Sequence, residues 1–198
     1  MLTKEVLGTP ILVMIEQFII YSMIGWLVES TYMSICNKKL TNRGFGIGPF
    51  CPIYGFGAVI GNMLLSPFYF HPIAMYFVGA ISATTFEFIV AKLMRYLFNE
   101  VWWDYNNKPF NYQGIICLES TIAWGFYGLI IVYRLNGITL RMVEMIPMQI
   151  GKIVSLVILF LYLLDFTYHF LDSLDYNLRQ NLKDKKELLV ERCWDFIR

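Results

Sequence analysis

Four acidic residues interrupt otherwise apolar stretches of this 198-residue chain: Glu29, Glu87, Glu119 and Asp165. At the helical rise of 1.5 Å per residue, Glu29, Glu87 and Asp165 fall roughly 9 Å inside the ends of their apolar runs, and Glu119 about 6 Å. A carboxylate at membrane depth costs a few kcal/mol unless it faces water, a cation or a donor, which makes each a candidate for holding a solute, an ion or a proton. Arg43, in TNRGFGIGPFCPIYG, is the strong donor of the first connecting segment. Its planar fork suits two-point binding of Glu29, Glu87 or an anionic ligand. Asn42 stands beside it, and the segment WWDYNNKPFNYQG adds Asp104, Tyr105 and Asn111. These side chains fit a ligand, proton or ion site; they fit equally a structural ion-pair network that fixes helix register. Glu16 lies near the opposite end of the first apolar run, where it is expected to reach the headgroups.

The remaining motifs have simpler readings. Trp102, Trp103 and Tyr105 fit an interfacial aromatic belt. Gly57 and Gly61, spaced small-xxx-small, read as a helix-packing face. His71 and His169 are isolated. The chain has no GxxxxGK[ST] loop, HExxH, GxSxG or CxxC pair, so nothing in it implies ATP binding through a P-loop, a metal or another cofactor. Paired carboxylates near Arg and Tyr could still perform acid and base chemistry on a lipid headgroup, although no nucleophile stands out.

The elements that must position these groups are membrane helices. Hydrophobic residues make up 57% and charged residues 16% of the chain, against roughly 25% charged in ordinary soluble domains. The 43 residues from Gly44 to Phe86 carry no Asp, Glu, Lys or Arg. With about 20 residues per crossing, hydropathy gives five spans, near 11–35, 53–70, 73–93, 115–135 and 153–171. The predicted fold is therefore all-α, a polytopic membrane helical bundle with about five transmembrane helices, forming a domain over 1–171. The tail, 172–198, places Leu174, Leu178, Leu182, Leu189 and Trp194 near helical spacing and reads as a cytoplasmic amphipathic helix. Two hairpins also share a layout, one through Glu29, Asn42, Gly48, Cys51, Tyr54 and Gly55, the other through Glu87, Asn111, Gly114, Cys117, Trp124 and Gly125. If this is a parallel repeat, Glu29 and Glu87 are symmetry mates.

Twelve of the 16 Lys and Arg residues fall in the first loop, the third loop and the tail, leaving Lys4, Arg134, Arg141 and Lys152 on the other side. The positive-inside rule then puts the amino terminus outside and the carboxyl terminus in the cytoplasm. The first apolar run lacks a cleavage pattern and is expected to be retained. Cys36, Cys51, Cys117 and Cys193 then fall near the reducing side as free thiols. The lipid bilayer is the expected partner and a homo-oligomer is compatible. A net charge of +1 argues against nucleic acid.

The strings FIIYSMIGWLVES, NRGFGIGPFCPIYGFGA, VWWDYNNKPFNYQGIICLES and WGFYG together resemble the bacterial membrane family described as Putative ABC-transporter type IV, over roughly residues 15–130. The resemblance implies a permease-like, multi-pass subunit of the plasma membrane working with a separate ATPase. The motif positions include Glu29, Asn42, Arg43, Glu87, Asp104, Tyr105 and Asn111. Together these readings give a polar pocket, open to the cytoplasm, that binds or passes a small polar or charged solute. The alternatives are a membrane enzyme acting on lipid or isoprenoid headgroups and a non-catalytic membrane scaffold.

Overall fold

The computed structural model describes residues 5–197 apart from 7, 45, 99 and 100; side chains beyond 174 lie outside the description. Helix accounts for 76% of the chain and strand for 4%. A two-residue ribbon, β1 (Glu5–Val6) against β2 (Thr9–Pro10), turns at Gly8 with φ +79° and leads into α1 (Ile11–Asn37). Lys38 ends α1 in the left-handed region (φ 51°), returning its amide to Ile35 and Ser34.

Pro52 opens α2 (Pro52–Leu65) at a position where the missing amide costs nothing. Pro67 then ends it, because a proline ring collides with the carbonyl four residues back. The chain passes through a tight 3₁₀ turn at Ser66–Phe68. The expected 53–70 span is therefore a 14-residue helix plus a turn. Next comes α3 (Pro72–Phe98), followed by the short hairpin of β3 (Asn111–Tyr112) and β4 (Ile116–Cys117).

Cys117 caps α4 (Leu118–Ile130): its sulfur accepts the Ser120 amide while the Ser120 hydroxyl accepts the Cys117 amide. A π-helical turn over Ile131–Leu135 joins α4 to α5 (Asn136–Glu144), so the expected 115–135 span is interrupted and extended. The last helix, α6 (Met148–Ile197), runs for 50 residues. The expected amphipathic tail thus continues the last span in its backbone, while the side chains that would make it amphipathic lie outside the described residues.

Three helices among the described residues are long and apolar enough to cross a membrane: Ile11–Asn37, Pro72–Leu97 and Met148–Leu174. On α6 the exposed residues include Ile153, Leu156, Phe160 and Leu163, all about half exposed or more, a surface suited to lipid. The hairpins α1/α2 and α3/α4 are the most closely packed pairs. Leu65, Met75 and Val132 join α2, α3 and the π turn in a buried cluster, with Phe68, Val78 and Leu129 around it. This cluster marks the far end of the bundle. The first loop (38–44 and 46–51) and the second (101–117) meet at the opposite, loop end, where Arg43 reaches the Trp102 carbonyl.

The glycines that bring helices together differ from the expected pair. Nothing would lie within 4 Å of a β-carbon at Gly61, and one at Gly57 would only touch Phe86 at 3.9 Å. At Gly25 and Gly55, by contrast, it would run into Tyr54 and into Ser22 and Phe18, and at Gly125 it would come 2.5 Å from the Tyr76 ring. A small-xxx-small spacing does not say which way a helix faces, and that orientation decides which glycine is used.

Candidate functional site

The first polar cluster assembles around Glu29. Arg43 Nε donates to Glu29 Oε1 at 3.0 Å, and Nη2 lies 3.0 Å from the same oxygen. The Tyr54 hydroxyl, from the first turn of α2, donates to Oε2 at 2.7 Å. Each carboxylate oxygen thus has a partner, and the guanidinium balances its charge. Arg43 is positioned by its own amide on Ser30 Oγ (3.2 Å) and extends Nη2 to the Trp102 carbonyl (3.2 Å), which ties the first loop to the second. Asn42 shapes the turn: its Oδ1 accepts from Trp26 Nε1 (2.6 Å) and the Gly44 amide (3.0 Å), while its Nδ2 donates to the Gly46 and Ile47 carbonyls.

The second cluster surrounds Glu87 on α3. Tyr105 donates to Oε1 at 3.1 Å and Trp124 Nε1 to Oε2 at 2.9 Å. Only 5% of Glu87 is exposed, and among the described residues no cation pairs with it. Burial, and after it the nearby Glu87 carboxylate, hold the Tyr105 phenol well above its ordinary range, so it stays a donor. Asn111 organises the loop beneath, donating to the Lys108 and Asn106 carbonyls and accepting from the Gly114 amide. Gly114 needs its positive φ (+66°), and a β-carbon there would come 2.6 Å from Asn106 Oδ1. Asp104 accepts the Asn106 amide at 2.8 Å and so serves the loop turn.

The two clusters share a register. In each hairpin a glutamate on the first helix takes one donor from the loop (Arg43 or Tyr105) and one from the next helix (Tyr54 or Trp124). In each, the residue after that helix donor is a glycine packed on an aromatic eleven positions before the glutamate: Gly55 on Phe18, Gly125 on Tyr76. The expected correspondence of Glu29 with Glu87 holds in this geometry. The charges differ, since one cluster contains a guanidinium and the other only neutral donors.

A third helix reaches the first loop. Asp165 of α6 accepts from the Ile47 amide (3.3 Å) and the Gly48 amide (3.2 Å), and His169 Nδ1 lies 3.3 Å from its Oδ1. A β-carbon at Gly46 would run into this carboxylate. Glu119 instead forms an exposed ion pair with Lys108 at 2.8 Å. A cavity of about 10 Å³, enough for one water, lies between Ala91, Arg95, Trp102, Trp103 and Ile115, beside the clusters. Among the described residues no group of three or more His, Cys, Asp or Glu could hold a metal.

Sequence reasoning did not single out Tyr54, Trp124 or Trp26 as partners, although Tyr54-Gly55 and Trp124-Gly125 were visible as repeated pairs. It also sent Glu16 to the headgroups, whereas Glu16 is 7% exposed and packed on Gly151 of α6.

Apolar helices with carboxylates held at one end define a helical membrane protein. The family model described as Putative ABC-transporter type IV matches residues 17–170, and the chain belongs to that family, which relates it to ABC transporters. The match extends past the 15–130 resemblance and takes in Asp165. No curated protein and no solved structure matches the chain.

Proposed function

We propose that the chain is a permease-like, five-pass subunit of the plasma membrane that binds or passes a small polar or charged solute and works with a separate ATPase. The observation that carries this reading is Glu87: buried, on a helix long and apolar enough to cross a membrane, and held by Tyr105 and Trp124, two donors without charge. With no cation beside it, such a carboxyl group leaves room for a cationic or polar group to pair with it, and intramembrane acids of this kind mark solute and ion paths. Glu29 is balanced by Arg43 and forms the neutral counterpart. Asn42, Asp104 and Asn111 set the loops that a solute would part on entering from the cytoplasm. Family membership supports the ATPase. For the two uncounted crossings, α2 with its turn covers 52–68, and α4 through α5 covers 118–144, about 40 Å of helix. The lysine and arginine distribution supports a cytoplasmic loop end.

The test is Glu87→Gln in cells, with membrane insertion monitored separately. The expected result is an ATPase that copurifies with both forms and a loss of solute uptake in the variant alone. Unchanged uptake across amine, amino-acid and sugar solutes would reject the reading.

One observation favours a scaffold instead: no side-chain oxygen or nitrogen that is fully sealed from solvent among the described residues lacks a partner, as expected of polar groups that serve to hold loops in place. A scaffold predicts that Glu29→Gln and Arg43→Gln change abundance or complex assembly and leave uptake intact.

A further inference from the structure

Glu16 stands apart from the other membrane acids. It lies in the second turn of α1, at the far end, with 7% of its surface exposed. Its carboxylate occupies the space above Gly151 in the first turn of α6: a β-carbon there would run into Oε1 and come 3.3 Å from Cδ. Gly151 is itself buried, so the two helices enclose the group between them.

Among the described residues, no hydrogen bond or ion pair reaches this carboxylate, whereas Glu29 and Glu87 each have both oxygens occupied. Neighbouring polar groups are engaged elsewhere. Gln17 donates to Asn136 and Thr139, and Thr139 in turn donates to Tyr21. The elements packed on this end of α1, and β1 paired with β2 beside it, bring Glu5 from β1, Arg141 and Glu144 from α5, and Lys152 from α6; all four are exposed and none pairs with Glu16. Its oxygens are not wholly sealed, because no fully buried side-chain atom lacks a partner. A narrow route to the surface therefore remains.

A carboxylate enclosed without a cation or donor is far less stable than the neutral acid, so such a group takes up a proton. Metal ions demand several oxygen ligands, and the recess presents one carboxylate. We propose that Glu16 is a proton-binding site at the far end of the bundle: one carboxylate oxygen takes H⁺ from the adjoining aqueous phase and returns it, with no other bond changed. The proposal is independent of the transport reading.

The test treats the full chain, reconstituted in phosphatidylcholine vesicles, with the hydrophobic reagent dicyclohexylcarbodiimide, which adds to protonated carboxyls in apolar surroundings. Mass spectrometry with fragmentation assigns the adduct. Modification is expected at Glu16, several-fold above Glu29 and Glu87, falling about tenfold per pH unit once the medium passes the midpoint. Protection by sodium or potassium ions at constant pH would overturn the proposal in favour of a monovalent-cation site. An unmodified Glu16, or equal modification of Glu29 and Glu87, would overturn it too, as would equal labelling of Glu16 by a water-soluble carbodiimide. No variant is needed, so a folding defect cannot obscure the answer.

Discussion

Tyr54 donates its hydroxyl to the Glu29 oxygen that Arg43 leaves free. Residues 14 and 25 positions from Glu29 thereby close one carboxylate, binding loop and second helix to the first.

This closure predicts coupling. Arg43→Gln and Glu29→Gln should each lower stability by about 1.5–3 kcal/mol, the usual worth of a hydrogen bond to a charged group. The double variant should lose less than the sum, because neither partner is then left uncompensated. Thermal unfolding of the four proteins in detergent measures this; strict additivity would show that the pair is not coupled.

The packing glycines predict a second pattern. Gly55→Ala should destabilise by about 1–3 kcal/mol, since the new carbon would lie 2.7 Å from the Phe18 carbonyl, a backbone atom that cannot swing aside. Gly125→Ala should do the same against Tyr76. Gly61→Ala meets open space and should be neutral or slightly stabilising, as alanine favours helix. Unfolding midpoints of the three variants decide the matter.

Thiol reactivity should be ordered. Cys36 is exposed, whereas Cys51 is buried and its thiol is pushed up to about 12, first by burial and then by the nearby Glu29 carboxylate. At pH 7 its reactive thiolate fraction is about 10⁻⁵. Maleimide should therefore modify Cys36 at least about tenfold faster than Cys51. Raising the pH from 7 to 9 should speed Cys51 labelling about a hundredfold, provided the fold holds. Applying the reagent from one side of sealed vesicles also reports the orientation of the loop end.

The contact of α6 with the first loop is testable by hydrogen exchange. Asp165→Ala removes the acceptor of the Ile47 and Gly48 amides, so those two amides should exchange about tenfold faster or more while the centre of α3 is unaffected. Gly46→Ala should produce the same signature, because its side chain would displace the carboxylate.

Much of this architecture was legible from residue types. The extent of α1 and the start of α3 followed from hydropathy, and the Glu29/Glu87 equivalence from the repeated aromatic-Gly pair. The length of α2 was missed because Pro67 was absorbed into an apolar run whose hydropathy hides a break in hydrogen bonding. Partner choice was harder to read. Arg43 had two acids within reach of its loop and binds Glu29, a selection made by the Ser30 contact that holds its backbone. The fate of Glu16 depends on Gly151, 135 positions away, and local sequence carries no trace of that encounter.

At about 75 Å, α6 is more than twice as long as a hydrocarbon core is thick. Its Asp165, inside the apolar stretch that ends at Leu174, holds the first loop, so the remainder of the helix projects beyond that clamp like a boom. A load on the distal half would reach the first loop through the amides of Ile47 and Gly48, a few residues from Arg43.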